Sequence, residues 1–325
     1  MEEVKMKLIE VGNTYSWGWH LRVLGIGLPY PRFPTETSRL WKQRFDGLTK
    51  QELMTLISAQ CHDCVGKRID WDNPKTFGDK LNWLKVNYHN PLMTICADKV
   101  KARDFFLGQF PGREDLLVRQ LGVYDAFDDI DFDFFPQSFV LKSNWGSGAQ
   151  IIVRDKANFH PEKSRRVVSR WMAPHSNHYY SFFEWGYKNI EPKIVAEEFL
   201  SFDYKLEFLC FNGQPRFFWI VLDDKTRQTS ANFYELDWTR IPVSNHYPNF
   251  SRDIKQPECY PEMLDTAQKL SAGFPFVRCD FYVTDNGYRF SEMTFYHWAG
   301  YNEIDPDKYD LIWGEMLELP ATQED

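Results

Sequence analysis

The spacing of apolar positions changes along the chain, from helical in its first third to strand-like beyond. Over residues 1 to about 95 the pattern is mainly helical. Leu53, Met54, Leu56 and Ile57 fall on one helix face, after Thr49, an N-cap with Glu52 three positions on. A second helix is predicted to start near Asn73-Pro74-Lys75-Thr76-Phe77 and to run through Leu81, Trp83 and Leu84. Pro29, Pro31 and Pro34 mark an irregular stretch before it. Asp98 to Leu107 reads as helix again, ended by Gly108, Pro111 and Gly112.

From Phe139 onward short apolar runs alternate with turn residues. Phe139 to Lys142 and Ile151 to Val153 form a predicted hairpin around the glycine-bearing loop Asn144-Trp145-Gly146-Ser147-Gly148. Helical sequence continues to about Trp185, and Ile194 to Leu200 is a buried strand. Lys205 to Phe211 and Arg216 to Leu222 flank Asn212-Gly213, a hairpin turn pair. Glu262 to Ser271 is helix, and Phe276 to Phe295 a strand pair. Such alternation behind a helical N-terminal region predicts an α+β class.

Composition narrows the function. In 325 residues, 43% are hydrophobic and 26% charged, so disordered and fibrous classes are excluded. Aromatic residues reach 17%, enough for thick cores and aromatic-walled clefts. The net charge of −8 opposes general nucleic-acid binding. The longest apolar runs, such as Phe217 to Leu222, fall far below the roughly 20 residues of a membrane span. The start Met1-Glu2-Glu3-Val4-Lys5 has neither a basic nor an apolar signal core, and six scattered cysteines point to a reducing cytoplasm. Cys61-His62-Asp63-Cys64 has metal or redox spacing without a second half, and reads as a helix with incidental thiols.

The segment from Val277 to Phe295 carries the chemistry. With a three-residue loop at Asp285-Asn286-Gly287, Thr284 faces Tyr288, Asp280 faces Glu292 and Arg278 faces Thr294, all four of the latter on one side. Facing carboxylates repel, and a hard divalent cation between them turns that cost into a site. Arg278 beside them suits a phosphate or an oxyanion; the alternative is a solvated charged face. Lys142 ends an apolar strand before Gly146-Ser147-Gly148, where backbone N–H groups can gather on an anion. Lys99 is a second candidate cation. Glu197-Glu198-Phe199-Leu200 can present a strand edge to a purine, and Asp203 and Lys205 follow within reach of ribose and phosphate. Arg165-Arg166, His175 and His178 could hold a substrate anion, or form an ordinary surface helix and loop.

Taken in order, Lys99, Lys142 with its loop, Glu197 to Leu200, Arg278-Cys279-Asp280 and Glu292-Met293-Thr294 resemble the ATP-grasp superfamily. Asn73 to Phe77, Ala97 to Arg103, Phe139 to Lys142, Asp203-Tyr204-Lys205, Phe211-Asn212-Gly213, Asn232 to Trp238 and Glu292 to Phe295 resemble its TupA-like family over residues 70 to 318. That family is associated with bacterial surface-polysaccharide and teichuronopeptide synthesis. The resemblance implies an ATP-grasp fold, two α+β lobes gripping ATP, divided at 1–95, 96–200 and 201–325. It implies ATP with magnesium, two ions, on Asp280, Glu292 and Thr294. Lys99, Lys142, Gly146, Ser147, Gly148, Lys205 and Arg227 would bind phosphates, and Glu197, Glu198, Phe199, Leu200 and Asp203 the nucleoside. Arg278, with Lys142 and Arg227, would be catalytic. Three departures stand out: Trp145 where the family's loop usually has His, Thr294 where ATP-grasp ligases commonly have Asn, and Ser291 for Gly.

The implied activity is a cytoplasmic carboxylate–amine ligase acting through an acyl phosphate on a uronic acid-type sugar and an amino acid or amine. Its partners would be those substrates and membrane-side polysaccharide assembly enzymes, with no nucleic acid. A sugar kinase, a glycosyltransferase and a non-catalytic glycan-binding protein are the alternatives.

Overall fold

A computed structural model describes residues 42–43, 45–173, 176–223, 226 and 228–321. Arg227, His175 and the proline stretch lie outside the described residues. Along the chain come α1 (Lys50–Val65), α2 (Phe77–Asn87), α3 (Pro91–Ala97), α4 (Lys101–Gln109), β1 (Gln120–Tyr124), β2 (Phe139–Ser143) and β3 (Gln150–Val153). Then follow α5 (Pro161–Trp171), α6 (His178–Phe182), β4 (Ile194–Glu198), β5 (Tyr204–Phe211), β6 (Gln214–Leu222) and β7 (Ser230–Glu235). The last elements are β8 (Arg240–Ile241), β9 (Ser244–Asn245), α7 (Tyr260–Ser271), β10 (Phe276–Thr284), β11 (Gly287–Thr294), β12 (Ile304–Asp305) and α8 (Lys308–Met316).

Local chemistry explains several boundaries. Thr49 and Glu52 form the capping box that opens α1, and Gly66 closes it at φ 68° with its N–H on the His62 carbonyl. Asn212 and Gly213 both take positive φ, 51° and 77°, which the tight β5–β6 hairpin requires. The helix expected from Asp98 begins only at Lys101, because the Asp98 carboxylate caps the Val100 N–H and binds Asn144. Of the observed elements, β1, β7, β8, β9, β12 and α8 have no counterpart in the sequence reading.

Two compact units emerge. Among the described residues, those within 1–68, 98–100 and 119–199 form unit 1, and those within 69–97, 101–118 and 200–325 form unit 2. Unit 1 holds an antiparallel sheet in the order β1-β4-β2-β3. Its core packs Phe139, Leu141, Ile194 and Ala196 of that sheet against Phe127, Phe135, Val168 and Trp171. Unit 2 holds a six-stranded antiparallel sheet in the order β11-β10-β5-β6-β7-β8.

The two faces of this larger sheet differ. One face, with Phe208, Cys279 and Phe281, is apolar where it meets α7 at Tyr260 and Ala267 and carries Asn232 and Arg240 toward its β7–β8 edge. The other is divided along the strands. Its far half, Phe211, Phe217 and Phe276, packs with Phe77 of α2 and Trp313 of α8, ring centroids 4.6–6.1 Å apart. Its near half carries charge and forms the candidate site.

α2 and α8 lock together at small residues and polar ties. The Gly78 N–H donates to Asp310 at 3.0 Å, and Lys80 Nζ donates to the Gly314 and Leu317 carbonyls that end α8. A Cβ on Gly314 would lie 2.0 Å from the Lys75 carbonyl oxygen and 2.8 Å from Thr76 C, both main-chain atoms that cannot turn aside. Gly314→Ala is therefore expected to lower stability by about 1–3 kcal/mol, the usual range for overpacking. Urea unfolding measures it, and an unchanged midpoint would contradict this close approach.

Candidate active site

On the charged half of unit 2's larger sheet, side chains of one face line up across neighbouring strands. Asp280 of β10 pairs directly with Glu292 of β11 on one side and with Glu207 of β5 on the other. The side-chain period of a strand therefore puts three carboxylates in one row. Arg278, two positions along, joins them. Its Nε and NH2 donate to both oxygens of Asp280 at 2.7 and 2.6 Å. Nε also lies 2.9 Å from Glu207 Oε2, and NH2 lies 3.4 Å from the Thr294 hydroxyl. Glu207 further accepts the Trp219 indole N–H, and Lys205 Nζ lies 3.8 Å from its other oxygen.

The three-residue loop expected in this hairpin is a two-residue turn: Thr284 pairs with Gly287, and Val283 with Tyr288. That shift by itself would have moved Glu292 out of line with Asp280. A bulge corrects it. Phe281 pairs with Phe290 but Asp280 with Glu292, so Ser291 is the extra residue on β11. The expected facing pairs, Asp280 with Glu292 and Arg278 with Thr294, stand, for a reason the sequence reading did not contain.

Electrostatics follow from burial. Asp280 has no exposed surface, and burial, with Glu207 and Glu292 adding to it, pushes its carboxyl up to about 7 against the pull of Arg278. Burial alone would lower Arg278, but Asp280 and Glu207 hold its guanidinium above the usual range. His297 is also fully buried. Its Nδ1 sits 3.0 Å from Arg278 NH1, which can only donate, so Nδ1 accepts and Nε2 carries the ring proton. Burial and then the guanidinium hold this imidazole well below its ordinary value, which keeps it neutral.

Burial, with Glu207 and Glu292 adding to it, raises the Asp280 carboxyl, so added positive charge would be favoured beside it, and magnesium needs only one or two protein carboxylates beside phosphate oxygens. Among the described residues no group of three or more His, Cys, Asp or Glu side chains could hold a metal ion alone. Asp280 and Glu292, with the Thr294 hydroxyl, are the residues that would hold one.

Unit 1 contains the lysines and the glycine loop. Lys142 of β2 pairs with Glu197 of β4, so the glutamate read as part of a purine-facing edge has a lysine partner. Glu198 pairs with Arg119, and the Phe199 ring lies under the Arg154 guanidinium at 4.7 Å. Lys99 Nζ donates to the Gly146 carbonyl at 2.8 Å. Gly146 and Gly148 take φ of 72° and 79°, and Ser147 is exposed between them. Leu200, Asp203 and Lys205 belong to unit 2, where the Asp203 N–H donates to the Val283 carbonyl.

The parts that several residues play in organising these groups escaped the sequence reading. Asn144, fully buried, donates to Asp98 and to the Glu191 carbonyl and accepts from the Lys193 N–H. Those bonds draw residues 98–100 into unit 1. Trp145 is a core residue whose indole N–H donates to the Trp171 carbonyl at 2.9 Å. Glu207 was detectable, because it lies two positions from Lys205 on the same strand and so shares its face. Trp219 and His297 carried no such signal. Arg165 is paired with Asp128 and Glu162, which favours the surface-helix alternative for it.

A family model described as TupA-like ATPgrasp matches residues 79–318. No curated protein matches the chain. Similar solved structures include a D-alanine–D-alanine ligase from Bacillus anthracis, 17% identical over 65% of this chain and 62% of that one, at a TM-score of 0.39. The ATP-grasp ligase PsnB, complexed with a phosphomimetic variant of its minimal precursor, Mg and ADP, is 13% identical over 73% and 65%, at 0.39. N5-carboxyaminoimidazole ribonucleotide synthetase from Thermus thermophilus is 12% identical over 62% and 45%, at 0.33. The chain spans less than two thirds of the length of each of these three proteins.

Proposed function

The chain belongs to the TupA-like ATP-grasp family, and on that premise we propose that it is an ATP- and magnesium-dependent carboxylate–amine ligase. Its substrates would be a uronic acid-type sugar carboxylate and an amino acid or amine, joined as an amide during surface-polysaccharide synthesis. The observation that carries this reading is the row of Glu292, Asp280 and Glu207 with Arg278 among them, two buried carboxylates and a half-buried one beside which added positive charge would be favoured.

Magnesium at Asp280 and Glu292 would offset the repulsion between the triphosphate and an anionic nucleophile. A carboxylate oxygen would attack the γ-phosphorus, forming an O–P bond as the bond to ADP breaks. The amine nitrogen would then attack the acyl carbon, forming C–N as C–O breaks, phosphate leaves and the nitrogen loses a proton. Lys99, Lys142, Lys205 and Arg227 are assigned to holding phosphates in line, and the loop from Gly146 to Gly148 to covering them so that water is excluded. Glu197 to Leu200 and Asp203 are assigned to the nucleoside. Arg278 is assigned to the oxyanion formed as the amine attacks. For that, one of its N–H groups turns from a carboxylate or from Thr294 to the substrate. No side-chain nucleophile is required.

A screen of uronic acid nucleotides and glycans against amino acids, read by phosphate release, tests the reading. ADP, phosphate and amide are expected in equal amounts, and only when carboxylate and amine are both present. A phosphorylated sugar formed without free phosphate would make the protein a kinase instead.

A further inference from the structure

His178 has no part in the chemistry assigned above, yet it meets the glycine loop at two points. Its Nε2 lies 3.0 Å from the Ser147 main-chain nitrogen and accepts that N–H. A Cβ on Gly146 would lie 2.8 Å from its Cδ2, so the ring fits only against a glycine. Because Nε2 accepts, the neutral ring carries its proton on Nδ1, which donates to Glu184 Oε1 at 3.1 Å. Glu184 is 4% exposed, so this acceptor is fixed in place.

Two aromatic rings also brace the half-buried imidazole. Phe182 and Tyr187 make edge contacts with it at 5.3 and 5.4 Å. The preceding residue, Asn177, is fully buried; its Oδ1 accepts the Tyr179 N–H and its Nδ2 donates to the Tyr187 carbonyl. Across the loop, Lys99 Nζ holds the Gly146 carbonyl. A Gly-Ser-Gly segment without such supports would sample many backbone states, and ordering it would weaken any binding that requires one of them.

We infer that the His178–Glu184 pair is a positioning device for the glycine loop, fixing Gly146 and Ser147 in the shape that receives the phosphates of a nucleoside triphosphate. The inference rests on the nucleotide reading of that loop. With the Ser147 N–H held by the ring, the exposed Ser147 hydroxyl and the rest of the loop backbone are left for the ligand. A loop without this support would also cover an acyl phosphate poorly and let water compete with the amine.

The test uses the full chain with His178→Ala, His178→Gln and Glu184→Ala. In nucleotide-free protein, the Ser147 amide is expected to exchange hydrogen faster in His178→Ala. Calorimetry with Mg·ATP should show Kd raised roughly five- to ten-fold, the scale of one lost hydrogen bond. The KM for ATP should rise similarly with kcat nearly unchanged at saturation, and phosphate release without amide should increase. His178→Gln, which offers an acceptor at similar reach, should restore most of the affinity. A merely structural histidine would lower the melting temperature and activity together and leave that KM-to-kcat split unmoved. If His178→Ala does not fold, Glu184→Ala carries the same test on the same amide. Unchanged Ser147 exchange and unchanged Mg·ATP affinity would overturn the inference alone. A wild-type protein that binds no Mg·ATP would overturn the nucleotide reading and this inference with it.

Discussion

Arg278→Met is expected to cost about 3–5 kcal/mol of stability, the range for removing one partner of a buried ion pair, and to abolish ligation. The guanidinium side chain is only 13% exposed and is bonded to both oxygens of Asp280 while pairing with Glu207. Without it, Asp280, Glu207 and Glu292 would face one another across adjacent strands with their main counter-ion gone. His297 would lose the donor at Nδ1, and its Nε2 has no hydrogen-bond partner among the described residues to compensate. Asp280 can relieve part of this by taking up a proton, since its carboxyl already lies near 7, which favours the lower end of the range. Arg278→Lys keeps the charge but not the two-pronged geometry and should fall between wild type and Met. Urea unfolding at neutral pH measures both; a Met variant with the wild-type midpoint would show that the guanidinium does not hold this network together.

Asp280→Asn should reduce ATP-dependent phosphate release by roughly a hundred-fold or more, the scale for losing one preorganised charge at a reacting centre. Asparagine keeps the shape of the side chain and one oxygen to accept from Arg278, but its NH2 cannot accept the second guanidinium N–H, so about 1–3 kcal/mol of stability should also be lost, with Glu207 remaining as counter-ion. Chelating divalent cations from the wild-type protein should have the same effect on turnover. In the variant, magnesium should no longer strengthen ATP binding, measured as a thermal shift with nucleotide in the presence and absence of the ion. Glu292→Gln should behave alike, because Glu292 stands in register with Asp280. Wild-type turnover in Asp280→Asn would remove that carboxylate from the metal site and leave Glu207 and Glu292 to account for any magnesium dependence.

Much of the fold could be read locally. Thr49 and Glu52 announce a helix start in four residues, and Asn212-Gly213 announces a hairpin because both residues tolerate positive φ. The alternation that put Arg278 and Asp280 on one face and Cys279 and Phe281 on the other is a property of any strand. The same alternation contained Glu207, which was overlooked because its significance depends on which strand lies beside β10. That neighbour is β5, from some seventy residues earlier in the chain, and no local pattern specifies it.

The glycine loop shows the same limit from the other direction. Its sequence suggested an anion-binding turn, but not that Trp145 would serve the core through Trp171, nor that His178 would reach Ser147. The histidine was noted only as a candidate holder of a substrate anion or as part of an ordinary surface loop, because its partner Glu184 is buried only once α6 and the segment to Tyr187 have packed.

By itself, then, the amino-acid order determined many of the stretches that are helix or strand and which way their side chains alternate, and it singled out candidates for phosphate and metal chemistry. These follow from backbone sterics and short-range hydrogen bonds, which act over a few residues. Only the tertiary structure decided that a bulge at Ser291 restores the facing of Asp280 and Glu292, that Glu207 completes the acidic row, and that residues 69–97 share a unit with residues 200–325. Those outcomes depend on which distant surfaces exclude water from one another, and the energy of that burial belongs to the assembled sheet and helices rather than to any segment of the chain.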